Sequence, residues 1–219
     1  MSDSQKPLLS LAAGYHLRAR PLCDGRVKLK NFELKAKPFE NDGEGHEEFL
    51  AGKYDTGEFS LANYCALKSR GKPYMAIPVF PNRKFRHSYI FVPENSSLKE
   101  AAQLKGKKVG IPSWLNTCGL WVRGILSDEY GVKANDIHWV MPRPNKMDLS
   151  LPAGTRLDVA ACERSLAAPL LEGEFDAIIV PDFPEEKGWR RLLADSKSIE
   201  QDSFRRSGIF PTSHAITFH

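Results

Sequence analysis

Lys107-Lys108-Val109-Gly110-Ile111-Pro112-Ser113-Trp114-Leu115-Asn116-Thr117-Cys118-Gly119-Leu120-Trp121-Val122-Arg123-Gly124-Ile125-Leu126-Ser127-Asp128-Glu129-Tyr130-Gly131 changes character twice. Residues 107–111 are a short apolar-centred run with the signature of a buried strand. Pro112–Asn116 is a loop rich in turn formers. Thr117–Tyr130 carries helical spacing and is closed by Gly131. Cys118, Val122 and Ile125 form one apolar stripe of that helix. Arg123 lies off the stripe and is expected in an ion pair or at the surface. A strand leading through a loop into a helix is the building block of a parallel α/β sheet.

The same alternation extends outward. Leu98–Leu104 reads as a helix before the block and Ile137–Val140 as a strand after it. Pro142–Gly154 is rich in Pro, Asn and Lys and reads as a surface loop. Leu157–Ala160 follows as a strand, Leu166–Leu171 as a helix and Phe175–Val180 as a buried strand. Asp182–Ser207 reads as mostly helical. On the N-terminal side, Leu8–Gly14 and Phe32–Ala36 are strands and His46–Gly52 is a short helix. Phe59–Arg70 is a longer helix, and Met75–Phe80 and Ser88–Val92 are strands around a basic corner. Ala215–Phe218 is a final strand. Alternating strands and helices place the chain in the α/β class, and ligands of open α/β sheets sit beyond the carboxyl ends of strands. That rule selects Asp55–Ser60, Phe80–Ser88 and Pro112–Thr117.

Composition narrows the functions. The 219 residues are 42% hydrophobic and 26% charged, with a formal net charge of +4. Those proportions are those of a folded globular chain. The basic residues are scattered and not interleaved with aromatics, so no nucleic-acid partner is expected. No apolar run reaches the length of a signal peptide or a membrane span, so a cytoplasmic location and no membrane partner are expected. Cys23, Cys65, Cys118 and Cys162 are far apart, which suggests neither a zinc site nor a disulfide framework. GxGxxG, P-loop, HExxH and GxSxG motifs are all missing, so no cofactor and no metal are expected.

Four segments could carry chemistry. Phe80–Ser88 contains Arg83, Lys84, Arg86 and His87 at a corner made by Pro78 and Pro81. Guanidinium groups grip carboxylates through paired hydrogen bonds, and a neighbouring histidine can move a proton near neutral pH. A solvated basic loop accounts for the composition equally well. In Tyr54–Ser60, Thr56 or Ser60 suits a helix cap, and Glu58 suits the first turn of a helix by its dipole. In Pro112–Thr117, Thr117 could cap the helix or touch a ligand at its positive end, and Trp114 could stack on a ring or cover the core. His214, at the start of the last strand, is by itself a structural histidine.

These segments together resemble 4,5-dihydroxyphthalate decarboxylase and its relatives, which have the type 2 periplasmic-binding-protein fold. The resemblance runs through Tyr54-Asp55, Glu58, Ser60-Leu61 and Tyr64, and through Ala76–Pro81 with Arg83 and Phe85–Ser88. It continues through Leu104, Gly106-Lys107, Val109-Gly110, Pro112, Thr117, Trp121, Arg123–Leu126 and Glu129–Val132. It implies two lobes with a ligand cleft between them: residues 1–89 with 208–219, and residues 90–207. It implies a cofactor-independent decarboxylase acting on a hydroxylated aromatic carboxylic acid, a dihydroxyphthalate-like or dihydroxybenzoate-like compound. His87, Glu58 and His214 are the expected catalytic residues; Arg83, Arg86, Ser88, Trp114 and Thr117 are the expected substrate contacts. A non-catalytic binding protein for a small aromatic acid is the alternative, as is another lyase or isomerase acting on a phenolic intermediate. Family members continue past the position of His219, so an incomplete first lobe and a homo-oligomer are expected.

Overall fold

The structure, a computed structural model, describes residues 6–39, 42–144, 150–160 and 165–219. Part of the expected 142–154 loop (145–149) and Cys162 lie outside the described residues. In chain order the first elements are β1 (Leu8–Gly14), α1 (Arg20–Cys23), β2 (Glu33–Phe39), α2 (Asp42–Leu50), β3 (Thr56–Ser60), α3 (Leu61–Lys68) and β4 (Met75–Ile77). Then come β5 (Ile90–Pro93), β6 (Lys108–Gly110), α4 (Thr117–Tyr130), β7 (His138–Met141), β8 (Arg156–Val159), α5 (Ala167–Leu171) and β9 (Ala177–Ile179). The chain closes with β10 (Trp189–Arg191), α6 (Ser196–Ser207) and β11 (His214–Phe218).

These elements form two compact units. Unit 1 comprises residues 1–83 and 212–219; unit 2 comprises residues 84–211. The divisions fall earlier and later, respectively, than the expected 89 and 208, because the whole Lys84–Tyr89 corner is bonded into unit 2. Chain entry and return run side by side. Arg83 and Thr212 form an isolated antiparallel bridge, and Ser213 N donates to Asn82 O at 2.7 Å. One residue further on, inside unit 2, Lys84 N donates to Pro211 O at 3.1 Å.

Unit 1 is built on a five-stranded sheet of order β2-β1-β3-β11-β4. β1 runs parallel to β2 and β3, and β11 runs antiparallel to β3 and β4. Residues 56–60 correct the sequence reading. They were expected to lead into a helix from Phe59, yet they form the central strand, and α3 starts at Leu61. The reason is pairing on both sides: a strand with two ladder partners satisfies its backbone better than a first helical turn, whose N–H groups are orphaned. Ser60 then caps α3 by accepting from Asn63 N. Glu58 is therefore a strand residue, not a first-turn acid.

Unit 2 is a six-stranded sheet of order β10-β5-β9-β6-β7-β8. β9, β6, β7 and β8 are parallel, as the alternation predicts, while β5 and β10 make an antiparallel edge. Ile90, Phe91, Val109, Ile111, Val122, Trp139, Leu170 and Ile178 are fully enclosed between sheet and helices. Asp182–Ser207 departs from its helical reading. Only Ser196–Ser207 is helical, and Trp189–Arg191 joins the sheet, pinned where Arg190 donates to the carbonyls of Glu94, Ser96 and Leu98. Ser88–Val92 begins as a 3-10 turn (His87–Tyr89) before β5, and the expected 98–104 helix shrinks to a 3-10 turn, Ala101–Leu104.

Candidate functional site

Register assembles the first cluster, wholly within unit 1. In the β3–β11 ladder Glu58 lies opposite Ile216, and His214 lies opposite Ser60. Same-face neighbours on a strand are two residues apart, so Glu58 and His214 are diagonal partners on one face. His214 Nδ1 donates to Glu58 Oε1 at 2.9 Å. The other carboxylate oxygen, Oε2, accepts from His16 Nε2 at 2.8 Å and from Gly14 N at 3.3 Å. Ala19 N donates to His16 Nδ1, so the His16 proton sits on Nε2 and points at Glu58. A side chain at Gly14 would bring its Cβ to 3.1 Å from the His16 ring and 3.5 Å from Glu58 Oε2, so glycine leaves room for the cluster.

Glu58 is 2% exposed. Burial pushes its carboxyl up, but hydrogen bonds and charges from His214 and His16 outweigh this and hold it below its ordinary 4.5. The carboxylate is thus ionised and fully donor-satisfied within the protein. Because the folded value is depressed, its contribution to stability is complete above the unfolded value and is lost as pH falls through the folded one. Unfolding free energy measured by denaturant between pH 7 and pH 3 is expected to fall below about pH 4.5, and a Glu58→Gln chain is expected to show a shallower fall. Equal slopes would remove Glu58 from the acid response.

The basic corner lies wholly within unit 2. His87 is 2% exposed, and its Nε2 donates to Glu129 Oε1 at 3.1 Å. Glu129 also accepts from Ser203 Oγ and Arg206 Nη2, which ties α4 to α6. His87 Nδ1 is enclosed without a hydrogen-bond partner among the described residues. Ser88 donates both N–H and O–H to Glu200 Oε1. Arg86, also 2% exposed, stacks over Tyr89 at 4.9 Å, and its Nη1 donates to Pro181 O at 3.4 Å. It stands near Cys118, whose thiol burial pushes up to about 11 against the pull of Arg86, so this cysteine is no nucleophile. Arg83 is exposed at the unit 1 bridge.

The loop from β6 into α4 differs in detail from its reading. Asn116, not Thr117, caps α4: its Oδ1 accepts from Gly119 N at 3.1 Å. Thr117 is the buried first residue of the helix. The buried stripe runs through Cys118, Val122 and Leu126, and Arg123 is buried beside it, not at the surface. Trp114 is buried over Arg123.

The structure therefore brings Glu58 and His214 together, and keeps Arg86, His87 and Ser88 at one corner of unit 2. Sequence reasoning missed His16 and Glu129. The signal for His16 was its place two residues past the carboxyl end of the first strand, but only the β1–β3 pairing shows that Glu58 is its neighbour. Among the described residues, no group of three or more His, Cys, Asp and Glu is arranged to hold a metal ion.

Comparisons with known proteins bear on these clusters. Residues 28–203 match the family model described as "ABC transporter, phosphonate, periplasmic substrate-binding protein". The chain is 35% identical over 220 residues to the 4,5-dihydroxyphthalate decarboxylase of Comamonas testosteroni, covering 95% of this chain and 67% of that protein. It is 36% identical over 183 residues to the protein of the same name from Pseudomonas putida, covering 80% and 71%. The fold is similar to the periplasmic aliphatic sulphonate binding protein SsuA of Escherichia coli (TM-score 0.59, 19% identity, 97% of this chain and 65% of that one). It is also similar to the alkanesulfonate-binding protein SsuA of Xanthomonas axonopodis pv. citri bound to MOPS (TM-score 0.54, 15% identity, 98% and 66%). The chain thus spans about two thirds of the length of these curated relatives and slightly less than two thirds of the two solved chains.

Proposed function

Because the chain belongs to the 4,5-dihydroxyphthalate decarboxylase family, we propose that it is a carbon–carbon lyase that releases carbon dioxide from a hydroxylated aromatic carboxylic acid. The observation that carries this reading is the enclosed Glu58 carboxylate, held ionised between two imidazoles. Decarboxylation of a hydroxybenzoate needs a proton removed from the hydroxyl and one added to the ring. Loss of the hydroxyl proton pushes electron density to the carbon that bears the carboxylate, and that carbon takes up a proton. The bond to the carboxylate then breaks, its electron pair returns to the ring, carbon dioxide leaves and the hydroxyl is reprotonated. The substrate supplies its own electron push, so this reading calls for no cofactor.

Glu58 and His214 form the pair that accepts the phenolic proton, with His16 steadying the second carboxylate oxygen. Arg86 is the guanidinium assigned to carboxylate recognition, and Thr117 lies at a helix N-terminus that favours anions. Arg83 is a second candidate cation. His87 is assigned to the ring proton. Nε2–H is committed to Glu129, so Nδ1 is the working atom and must first take up the proton that it passes to the ring carbon.

Incubation with 4,5-dihydroxyphthalate and with dihydroxybenzoates tests the reading. The expected result is release of carbon dioxide and of the ring product in equal amounts. Tight binding across the panel without carbon dioxide would instead make the chain a binding protein, the reading favoured by the binding-protein family model and the SsuA folds.

A further inference from the structure

The Glu58 carboxylate has little room for a substrate. Its Oε1 accepts from His214, and its Oε2 accepts from His16 and Gly14. Side-chain exposure is 2% for Glu58, 10% for His214 and 26% for His16. His214 is further packed edge to face against the His46 ring at 5.3 Å. His16 is therefore the member of this trio most open to a ligand. It also stands where a parallel sheet receives ligands: two residues beyond the carboxyl end of β1, which runs parallel to both β2 and β3.

The ring of His16 has two unlike edges. Nε2 donates to Glu58 Oε2 at 2.8 Å, and a Cβ at Gly14 would lie 3.1 Å from Cδ2, so the Cδ2–Nε2 edge faces the cluster. Nδ1 is on the other edge and carries the lone pair, because the proton is on Nε2. The bond that Nδ1 accepts is the lesser half of a shared one. Ala19 N donates to His16 O at 3.0 Å and to Nδ1 at 3.3 Å. Releasing Nδ1 leaves Ala19 N–H bonded to His16 O, so the lone pair becomes available without orphaning a donor. An imidazole with one nitrogen held by a buried carboxylate and the other able to take a proton is an oriented general base.

We propose that His16 is a catalytic residue whose Nδ1 touches the substrate hydroxyl and takes its proton, relaying charge to the enclosed Glu58–His214 pair. This deepens the decarboxylase reading and rests on it for the reaction. The Nδ1 lone pair takes the hydroxyl proton, and the O–H electron pair stays on the phenolate oxygen. Nε2 gives its own proton to Glu58 Oε2, which leaves His16 neutral in its other tautomer. After carbon dioxide leaves, the same path run backwards restores the hydroxyl.

Two variants of the full chain separate touching the substrate from steadying Glu58. His16→Gln can still turn an amide N–H₂ toward Glu58 but has no nitrogen basic enough to take a proton. Steadying alone predicts that glutamine recovers much of the rate that His16→Ala loses. A relay through Nδ1 predicts that both variants release carbon dioxide about 10²–10⁴-fold more slowly than the wild type, and that added imidazole raises the rate of His16→Ala. A second readout needs no turnover. 4-Hydroxy-3-nitrobenzoate turns yellow when its phenol ionises. At a pH where the free acid keeps its phenolic proton, the wild-type chain is expected to raise the phenolate band on binding, and His16→Gln is expected to bind without it. An equal band with His16→Gln, or no band with the wild type, overturns the proposal. If His16→Gln does not fold, His16→Ala decides by the same band: its loss supports the relay and its retention overturns it. A His16-dependent band without carbon dioxide release from any hydroxylated acid would sink the decarboxylase reading and leave this one standing. Carbon dioxide release by His16→Gln at the wild-type rate would do the reverse.

Discussion

A Glu58→Gln chain is expected to release carbon dioxide about 10²–10⁴-fold more slowly than the wild type, the range typical of losing a positioned acid or base, while its affinity for substrate changes far less. The substitution is close to isosteric, so it isolates charge. Glutamine offers one carbonyl oxygen where the carboxylate offers two. Its amide N–H₂ must then face His16 or His214, each of which now donates to Glu58. One imidazole must change tautomer or lose its bond, and the pair can no longer take up a proton. Single-turnover kinetics beside direct binding separate the two quantities. Wild-type turnover by Glu58→Gln would remove the cluster from the chemistry. Should His87→Gln stop turnover while Glu58→Gln does not, both proton transfers would belong to the basic corner of unit 2.

The second large effect concerns the platform for α4. Trp139→Ala is expected to cost unit 2 about 3–5 kcal/mol, as removal of large enclosed aromatics does. Trp139 is fully buried, its ring meets Trp114 edge to face at 5.8 Å, and its indole N–H donates to Ala134 O at 2.7 Å. Truncation opens a cavity beneath the Arg123–Trp114 stack and orphans one carbonyl. Urea unfolding followed by near-ultraviolet circular dichroism measures the loss, and Trp139→Phe should recover part of it. A cost under about 1 kcal/mol would mean that the site collapses freely.

Unit 2 was the more legible half of the molecule. Lys107–Gly131 gave strand, loop and helix nearly as found, because an apolar run, a proline and a terminal glycine act locally and need no knowledge of neighbours. Unit 1 was harder because its decisive facts are non-local. Thr56–Ser60 has the composition of a helix cap, and only its pairing with β1 and β11 makes it a strand. Glu58 and His214 were both named, but they stand far apart in sequence, and the register that joins them is invisible until β11 is placed. Arg123 failed for a related reason. Helical spacing set it off the apolar stripe, and nothing in the spacing says that Trp114 folds back to cover it. Trp189–Arg191 likewise became a strand through carbonyls gathered by Arg190 from a distant turn.

The paired crossing near Arg83 and Thr212 bears on how the chain assembles. β11 must find β3 and β4 after the whole of unit 2 has been made, and an unstructured loop of that length carries a closure entropy. Once unit 2 is folded, the bond from Lys84 N to Pro211 O holds its two ends together. For unit 1 the long insertion then acts as a tight hairpin, delivering Thr212 opposite Arg83 and feeding β11 into its slot. By closing its own ends, the larger unit shortens the loop that β11 must close to complete the sheet that carries Glu58.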